Sequence, residues 1–250
     1  MTVQGLPFWY ELTAANIPAS AAFYGPVMGW QFKDSGVPGF DYTVASMGAA
    51  MVAGLMGPDT PMPEFWMIYF AVDDCDASAA RVTALGGTVH RAPEDIPGTG
   101  RFAIVADPQG AVFGLMQPHE DQPGPAFSPM KPGHANWHEL MTSDAAAALH
   151  FYTDLLGWFP GTPIDMGDMG TYQIVTAAPG EIGGIMAQPD PAIPPSWMPV
   201  FGTDSVSAAL ARAIAHGGTT LMEPMEVPGG AFACYARDPH GAAFGLVGPP

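Results

Sequence analysis

Basic side chains are scarce in this chain of 250 residues: seven Lys and Arg stand against 24 Asp and Glu, a formal net charge of -17. Nucleic acid and anionic membrane surfaces are recognised by clustered Lys and Arg, so neither is expected as a partner, and cationic or neutral small molecules are favoured. Cysteine is limited to Cys75 and Cys234, far apart and without neighbouring ligand spacing, which rules against a disulfide framework or a zinc knuckle. Both are read as buried thiols. No apolar run approaches the roughly 20 residues that span a bilayer. The opening "MTVQGLPFWYEL" lacks a basic stretch followed by an apolar one. A soluble, cytoplasmic protein is expected.

What the chain does have is 48% hydrophobic residues, enough for a sizeable core, and 31 Gly with 28 Pro placed between short apolar runs. That arrangement favours many short strands joined by tight turns. It also repeats itself. A shift of 128 residues overlays Trp9, Glu11, Leu12, Phe23, Tyr24, Gly29 and Trp30 on Trp137, Glu139, Leu140, Phe151, Tyr152, Gly157 and Trp158. Further along the shift becomes 131, so that "DPQGAVFGL" (107–115) overlays "DPHGAAFGL" (238–246). Domains are expected over 1–118 and 134–250, with 119–133, rich in Pro, Gly and polar residues and lacking an apolar period, as a linker.

Each half divides again, into modules over 1–61, 62–118, 134–192 and 193–250. The first opens with a strand over 7–14. Asn16 then caps a helix whose Phe23/Val27 and Tyr24/Met28 pairs lie at i, i+4 before Gly29 ends it, and strands follow near 30–34, 40–47 and 49–56. The second gives a strand over 65–72, a helix over 76–85 stopped by Gly86-Gly87, and strands near 88–92, 101–106 and 111–117. The order recurs after residue 134, so the fold class is α+β, built from four βαβββ modules.

A βαβββ module used in pairs, with Phe23-Tyr24 late in the first helix, Gly29-Trp30 after it and the Asp107-Pro-x-Gly110 turn before the last strand, resembles the vicinal oxygen chelate superfamily. That superfamily includes glyoxalase I, bleomycin-resistance proteins, fosfomycin-resistance enzymes and extradiol dioxygenases. The duplicated chain is similar to two-domain glyoxalase-like proteins of bacteria, mycobacterial culture-filtrate antigens among them. The resemblance implies two curved, mixed-sheet half-barrels, each around a cleft, with helices outside.

In the metal-dependent members of the superfamily, the first and last strands of each module supply His, Gln or Glu to a divalent ion. The first-strand positions here are Trp9, Met67, Trp137 and Met198, and the last-strand positions are Gly54, Gly114, Gly184 and Gly245. None is a hard donor, so no metal site and no cofactor are expected there. The histidines offer no ligand spacing: His138 is assigned to the helix-covered face, His134 to a loop, His240 to a solvent-facing turn, His216 to a helix end, His90 to packing, His119 to the linker and His150 to an exposed helix position. The 16 methionines are read as cleft lining or core rather than as copper ligands.

Alternation along a strand puts Trp9 with Glu11, and Trp137 with Glu139, on one face. With Met67, Tyr69 and Met198 they are expected to line the clefts, and Tyr42 and Tyr172 to act as further walls or as hydrogen-bond partners of the two Glu residues. Two functions follow. One is a metal-free small-molecule binding protein of the bleomycin-resistance type, in which Trp stacks on an aromatic or cationic ligand and Glu pairs with its charge. The other is a glyoxalase-like lyase or isomerase, with or without a divalent ion at non-standard positions, in which Glu11 or Glu139 is general acid or base. For that reaction Arg101 is the candidate electrophile, although Phe232 stands at its counterpart. An extradiol dioxygenase is disfavoured. The third reading makes both Glu residues structural, bonded to backbone or Tyr groups. Because duplication substitutes for subunit pairing, a monomer or a homodimer is expected.

Overall fold

A computed structural model of the chain describes residues 3–36, 41–58, 60, 62–119 and 124–250. The expected strand start at residue 40, the module limit at 61 and the linker stretch 120–123 lie outside the described residues. Four βαβββ modules are present. The first comprises β1 (Pro7–Thr13), α1 (Ile17–Met28), β2 (Gln31–Asp34), β3 (Tyr42–Met47) and β4 (Ala50–Met56). The second comprises β5 (Phe65–Ala71), α2 (Cys75–Ala84), β6 (Thr88–Ile96), β7 (Gly100–Ala106) and β8 (Val112–Pro118). The third comprises β9 (Ala135–Thr142), α3 (Ala145–Leu156), β10 (Phe159–Asp165), β11 (Thr171–Ala177) and β12 (Gly180–Ala187), with a short 3-10 turn at Gly167–Met169. The fourth comprises β13 (Ser196–Gly202), α4 (Val206–Ala215), β14 (Thr219–Glu226), β15 (Phe232–Arg237) and β16 (Ala243–Gly248).

Strand order is β2-β3-β4-β1-β5-β8-β7-β6 in one sheet and β10-β11-β12-β9-β13-β16-β15-β14 in the other. Both sheets are mixed, with β1/β4, β5/β8, β9/β12 and β13/β16 parallel and the hairpin neighbours antiparallel. Every α-helix starts where a short polar side chain accepts the N–H three residues on: Asn16 from Ala19, Asp74 from Ala77, Asp144 from Ala147 and Ser205 from Ala208. Such a cap contributes about 1 kcal/mol. Gly29 (φ 76°) and Gly157 (φ 73°) end α1 and α3 in the left-handed region, where a side chain would be strained. β6 runs to Ile96, beyond the expected 92, because register shifts between Val89 and Arg91 and between Arg91 and Glu94 accommodate Pro93, which has no N–H to give the ladder.

The compact units cut across the sequence halves. One unit comprises Met1–Phe8, Ile68–Gly124 and His138–Trp197; the other comprises Trp9–Met67, Pro125–Trp137 and Met198–Pro250. In the first, the Tyr152 hydroxyl donates to Asp107 Oδ2 (3.1 Å) and accepts from Trp197 Nε1 (2.8 Å), while Trp158 Nε1 donates to the Gly5 carbonyl (2.7 Å). In the second, Tyr24 donates to Asp238 Oδ2 (2.9 Å) and accepts from Trp66 Nε1 (2.9 Å), while Trp30 donates to the Gly133 carbonyl (2.7 Å). The repeated Phe-Tyr, Gly-Trp and Asp-Pro-x-Gly segments thus meet in two buried polar clusters. Stacked and edge-on rings surround them, Tyr152/Trp158 and Phe70/Trp197 in one, Tyr24/Trp30 and Trp66/Phe201 in the other.

The segment read as a linker is partly built into the second unit. Ala126 is buried, Ala135 N donates to Ala126 O (3.1 Å), and Gly133 N donates to Gly202 O (2.9 Å). Backbone bonding rather than an apolar face holds it, which is why it carries no hydrophobic period. No helix among the described residues is long and apolar enough to cross a membrane.

Candidate functional site

Along β1, Tyr10 and Leu12 are fully buried on the core face, which leaves Trp9 and Glu11 on the other. Glu11 is aligned with Gly54 of β4, and Gly54 with Val44 of β3, so Tyr42 lies on the same face two residues away. The Tyr42 ring passes over Gly54 and its hydroxyl bonds to Glu11 on the far strand, while accepting from Trp9 Nε1 at 2.7 Å. A Cβ added to Gly54 would fall inside that ring. The glycine is what lets a tyrosine bridge two strands. Burial, and then the Glu11 charge, push the Tyr42 hydroxyl well above the usual tyrosine range, so it stays protonated and donates to the carboxylate.

The third module repeats this geometry inside the first unit. Glu139 is aligned with Gly184, Gly184 with Ile174, and Tyr172 reaches across to donate to Glu139 Oε1 at 3.2 Å. A Cβ on Gly184 would again fall inside the tyrosine ring. Glu11 and Glu139 are 6% and 7% exposed, so neither carboxylate is water's to solvate and the tyrosine bond matters.

In the other two modules the Glu position belongs to Tyr69 and Val200. The Tyr69 ring lies over Gly114, with Phe102 beside it at a centroid separation of 6.4 Å. Val200 lies over Gly245, where an added Cβ would be 2.8 Å from its Cγ2. Met67 and Met198 are buried, and Trp137 is half-buried.

These residues do not fit a divalent ion at the superfamily's positions. An indole N–H can only donate, and that of Trp9 already points at Tyr42. A thioether is a soft and weak ligand. The four glycines have no donor, and the space above each is taken by a neighbouring ring or branched side chain. Among the described residues no three His, Cys, Asp or Glu side chains converge.

Three placements correct the sequence reading. Arg101, the candidate electrophile, is already engaged by carboxylates: its guanidinium is held by Asp76 of α2 (Nε to Oδ2 2.6 Å) and by Asp95 (3.0 Å). That partnership keeps the Asp76 carboxyl below its usual range. His90 is exposed rather than packed, since alternation on β6 turns 88, 90 and 92 outward. Met130 is 89% exposed, so the methionines are not all lining or core. The other histidines lie as expected: His138 is in the core against Phe70, bonded to the Ile182 carbonyl and pushed down by burial to about 4. His134 sits in a bend, although it is fully buried, and His119, His150, His216 and His240 are exposed. Both thiols are free and buried. The bridging of glycine by tyrosine was not evident from sequence; its only trace is the equal spacing of Tyr42 to Gly54 and Tyr172 to Gly184.

The sequence profile of the Glyoxalase/Bleomycin resistance protein/Dioxygenase superfamily matches residues 7–115 and 131–246. A putative glyoxylase, CFP32, of Mycobacterium bovis is 34% identical over 253 residues, covering 98% of this chain and 95% of its own. The anthracycline biosynthesis protein DnrV of Streptomyces peucetius is 34% identical over 268 residues, covering 97% and 93%. Among solved structures, the Mn(II)-bound glyoxalase from Novosphingobium aromaticivorans superposes with a TM-score of 0.69 at 18% identity, covering 99% of this chain and 83% of that one. The 2,3-dioxygenase LapB from Pseudomonas sp. KL28 gives 0.69 at 17%, covering 100% and 94%. At such identities these structures speak to the fold alone.

Proposed function

Since the chain belongs to the Glyoxalase/Bleomycin resistance protein/Dioxygenase superfamily, we propose that it is a small-molecule binding protein that uses no divalent ion at the superfamily's ligand positions. The observation that carries this reading is the covering of Gly54, Gly114, Gly184 and Gly245 by Tyr42, Tyr69, Tyr172 and Val200. At these positions the chain puts three rings and a valine, and its two inner carboxylates are bonded to tyrosines. In one unit Trp9, Trp137, Met67 and Met198 supply flat or pliable apolar contact and Glu11 the negative charge; in the other Tyr69 supplies the ring and Glu139 the charge. An aromatic ligand bearing a cation suits that combination, and a net charge of -17 draws such a ligand in. The anthracycline biosynthesis proteins among the relatives point the same way, since anthracyclines are fused-ring aromatics.

The test combines two measurements. Metal analysis of protein purified without chelators is expected to find less than stoichiometric Mn, Fe, Ni or Zn. Titration with a cationic fused-ring dye, followed by Trp fluorescence, is expected to saturate, and Glu11→Gln or Glu139→Gln to weaken it. Stoichiometric metal, or unchanged dye affinity in both variants, overturns the reading.

A second reading rests on the burial of both carboxylates beside tyrosine hydroxyls: a lyase or isomerase in which Glu11 or Glu139 moves a proton, with Tyr42 or Tyr172 as its hydrogen-bond partner. Turnover of an aldehyde–thiol adduct that Glu11→Gln or Glu139→Gln abolishes would favour it.

A further inference from the structure

The second compact unit holds a cavity of about 280 Å³ at the C-terminus of α1, bounded by Val27, Met47, Pro132, Thr203, Asp204 and Arg212 among others. Neither Glu–Tyr pair is in its lining, and its chemistry is legible because the chain contains a second copy of the same sequence positions. By the two repeat shifts, Pro132 corresponds to Gln4, Val27 to Leu155, Asp204 to Asp73 and Arg212 to Arg81. The backbone frameworks agree, Gly133 N donating to Gly202 O at 2.9 Å where Gly5 N donates to Ala71 O at 2.8 Å, although Arg81 pairs with Asp154 (3.7 Å) where Arg212 donates to Pro26 O (2.8 Å) and Val27 O.

What differs is the bridge. In the first unit the Gln4 side-chain amide spans the place, its Nε2 donating to Leu155 O (3.3 Å) and its Oε1 accepting from Asp73 N (2.9 Å). Pro132 has no amide to offer. In the second unit Val27 O keeps one protein donor, Arg212 Nη2 at 2.9 Å, and a carbonyl has a second lone pair. The N–H of Asp204, an exposed residue, has no acceptor among the described residues, so a ligand amide would replace water there.

We propose that this cavity binds a primary carboxamide on a small aromatic or heteroaromatic body, with the amide placed as the Gln4 amide is placed in the first unit. The complementary groups select that class. A carboxylate gains the Arg212 guanidinium, but it has no N–H for Val27 O and meets both the Asp204 side chain and the negative end of α1. An ammonium has no acceptor for the Asp204 N–H. A carboxamide satisfies both groups, and Met47 and Thr203 offer apolar surface to the ring.

The experiment is calorimetric titration of the intact protein with benzamide, benzoate and benzylammonium. Benzamide is expected to bind at one site, and the two ions at least tenfold more weakly. Pro132→Gln restores the internal amide and is expected to weaken benzamide at least tenfold, whereas Pro132→Ala, which supplies none, keeps the affinity within about twofold. Absence of benzamide binding at millimolar concentration, equal binding of benzoate, or equal affinity in Pro132→Gln and Pro132→Ala would each overturn the proposal.

Discussion

Replacing Tyr152 by Phe removes one oxygen from the centre of the first unit. That oxygen accepts from Trp197 Nε1 at 2.8 Å and donates to Asp107 Oδ2 at 3.1 Å, and all three residues are buried. The variant leaves an indole N–H without acceptor, at about 1–3 kcal/mol, and takes from a buried carboxylate one of its donors, of which the N–H groups of Gln109 (3.0 Å) and Ala111 (2.9 Å) remain. With partial relaxation the expected loss is about 3 kcal/mol, a large share of the roughly 5–15 kcal/mol that a domain has. Urea unfolding at pH 7, followed by far-UV circular dichroism, measures it. Tyr24→Phe is the twin experiment, since Tyr24 bridges Trp66 and Asp238 at 2.9 Å each, and the same loss is expected. The pH dependence adds a check. Burial raises the Asp107 carboxyl above its usual value and the Tyr152 bond lowers it, so the variant raises it further. A raised carboxyl gives stability that is present in acid and lost as pH climbs through its folded value; the deficit of Tyr152→Phe is therefore larger at pH 7 than in acid. A loss under about 1 kcal/mol in both variants would refute the view that each cluster stabilises its own unit.

His138 is neutral and buried, its folded value about 4 against 6.5 when exposed, so stability is full above 6.5 and about 3 kcal/mol is lost as pH falls toward 4. A His138→Gln variant, which can still reach the Ile182 carbonyl, is expected to show a flatter stability profile over that interval. Gly184→Ala puts a methyl inside the Tyr172 ring; the ring must swing away from Glu139, at about 1–3 kcal/mol in thermal or urea unfolding, and a smaller second loss from Tyr172→Phe in that background would confirm that the bond had already gone. Gly157→Ala, where space is open but φ is 73°, is expected to cost about 1 kcal/mol from backbone strain alone. Equal losses at Gly184 and Gly157 would show that the ring is not the obstacle.

The module order was legible because its determinants are local. A cap such as Asn16 acts over three residues, Gly29 ends its helix by its own φ, and strand alternation repeats every second residue. The absence of hard donors at the superfamily's positions was likewise readable from residue identity. Glu11 and Glu139 were placed on the right strand face by alternation, but not their partners. Whether Tyr42 walls a pocket or bonds to Glu11 depends on the register of three adjacent strands, and a one-residue slip would have turned the ring to the other face. Arg101 misled for the same reason: nothing in its neighbourhood in the chain announces that Asp76, 25 residues earlier, would hold it.

The amino-acid sequence by itself determined the four modules, the duplication and the scarcity of metal donors, since each depends on residue type or on contacts within a helical turn or a strand. Only the tertiary structure decided that α1 shares a unit with the fourth module and α3 with the second, that tyrosines cross the glycines, and that Pro132 borders a cavity while Gln4 bridges two backbone groups. Those outcomes depend on groups brought together over separations such as the 214 residues between Tyr24 and Asp238. At that range the partner is chosen by the packing of the whole chain, and local preference has no say.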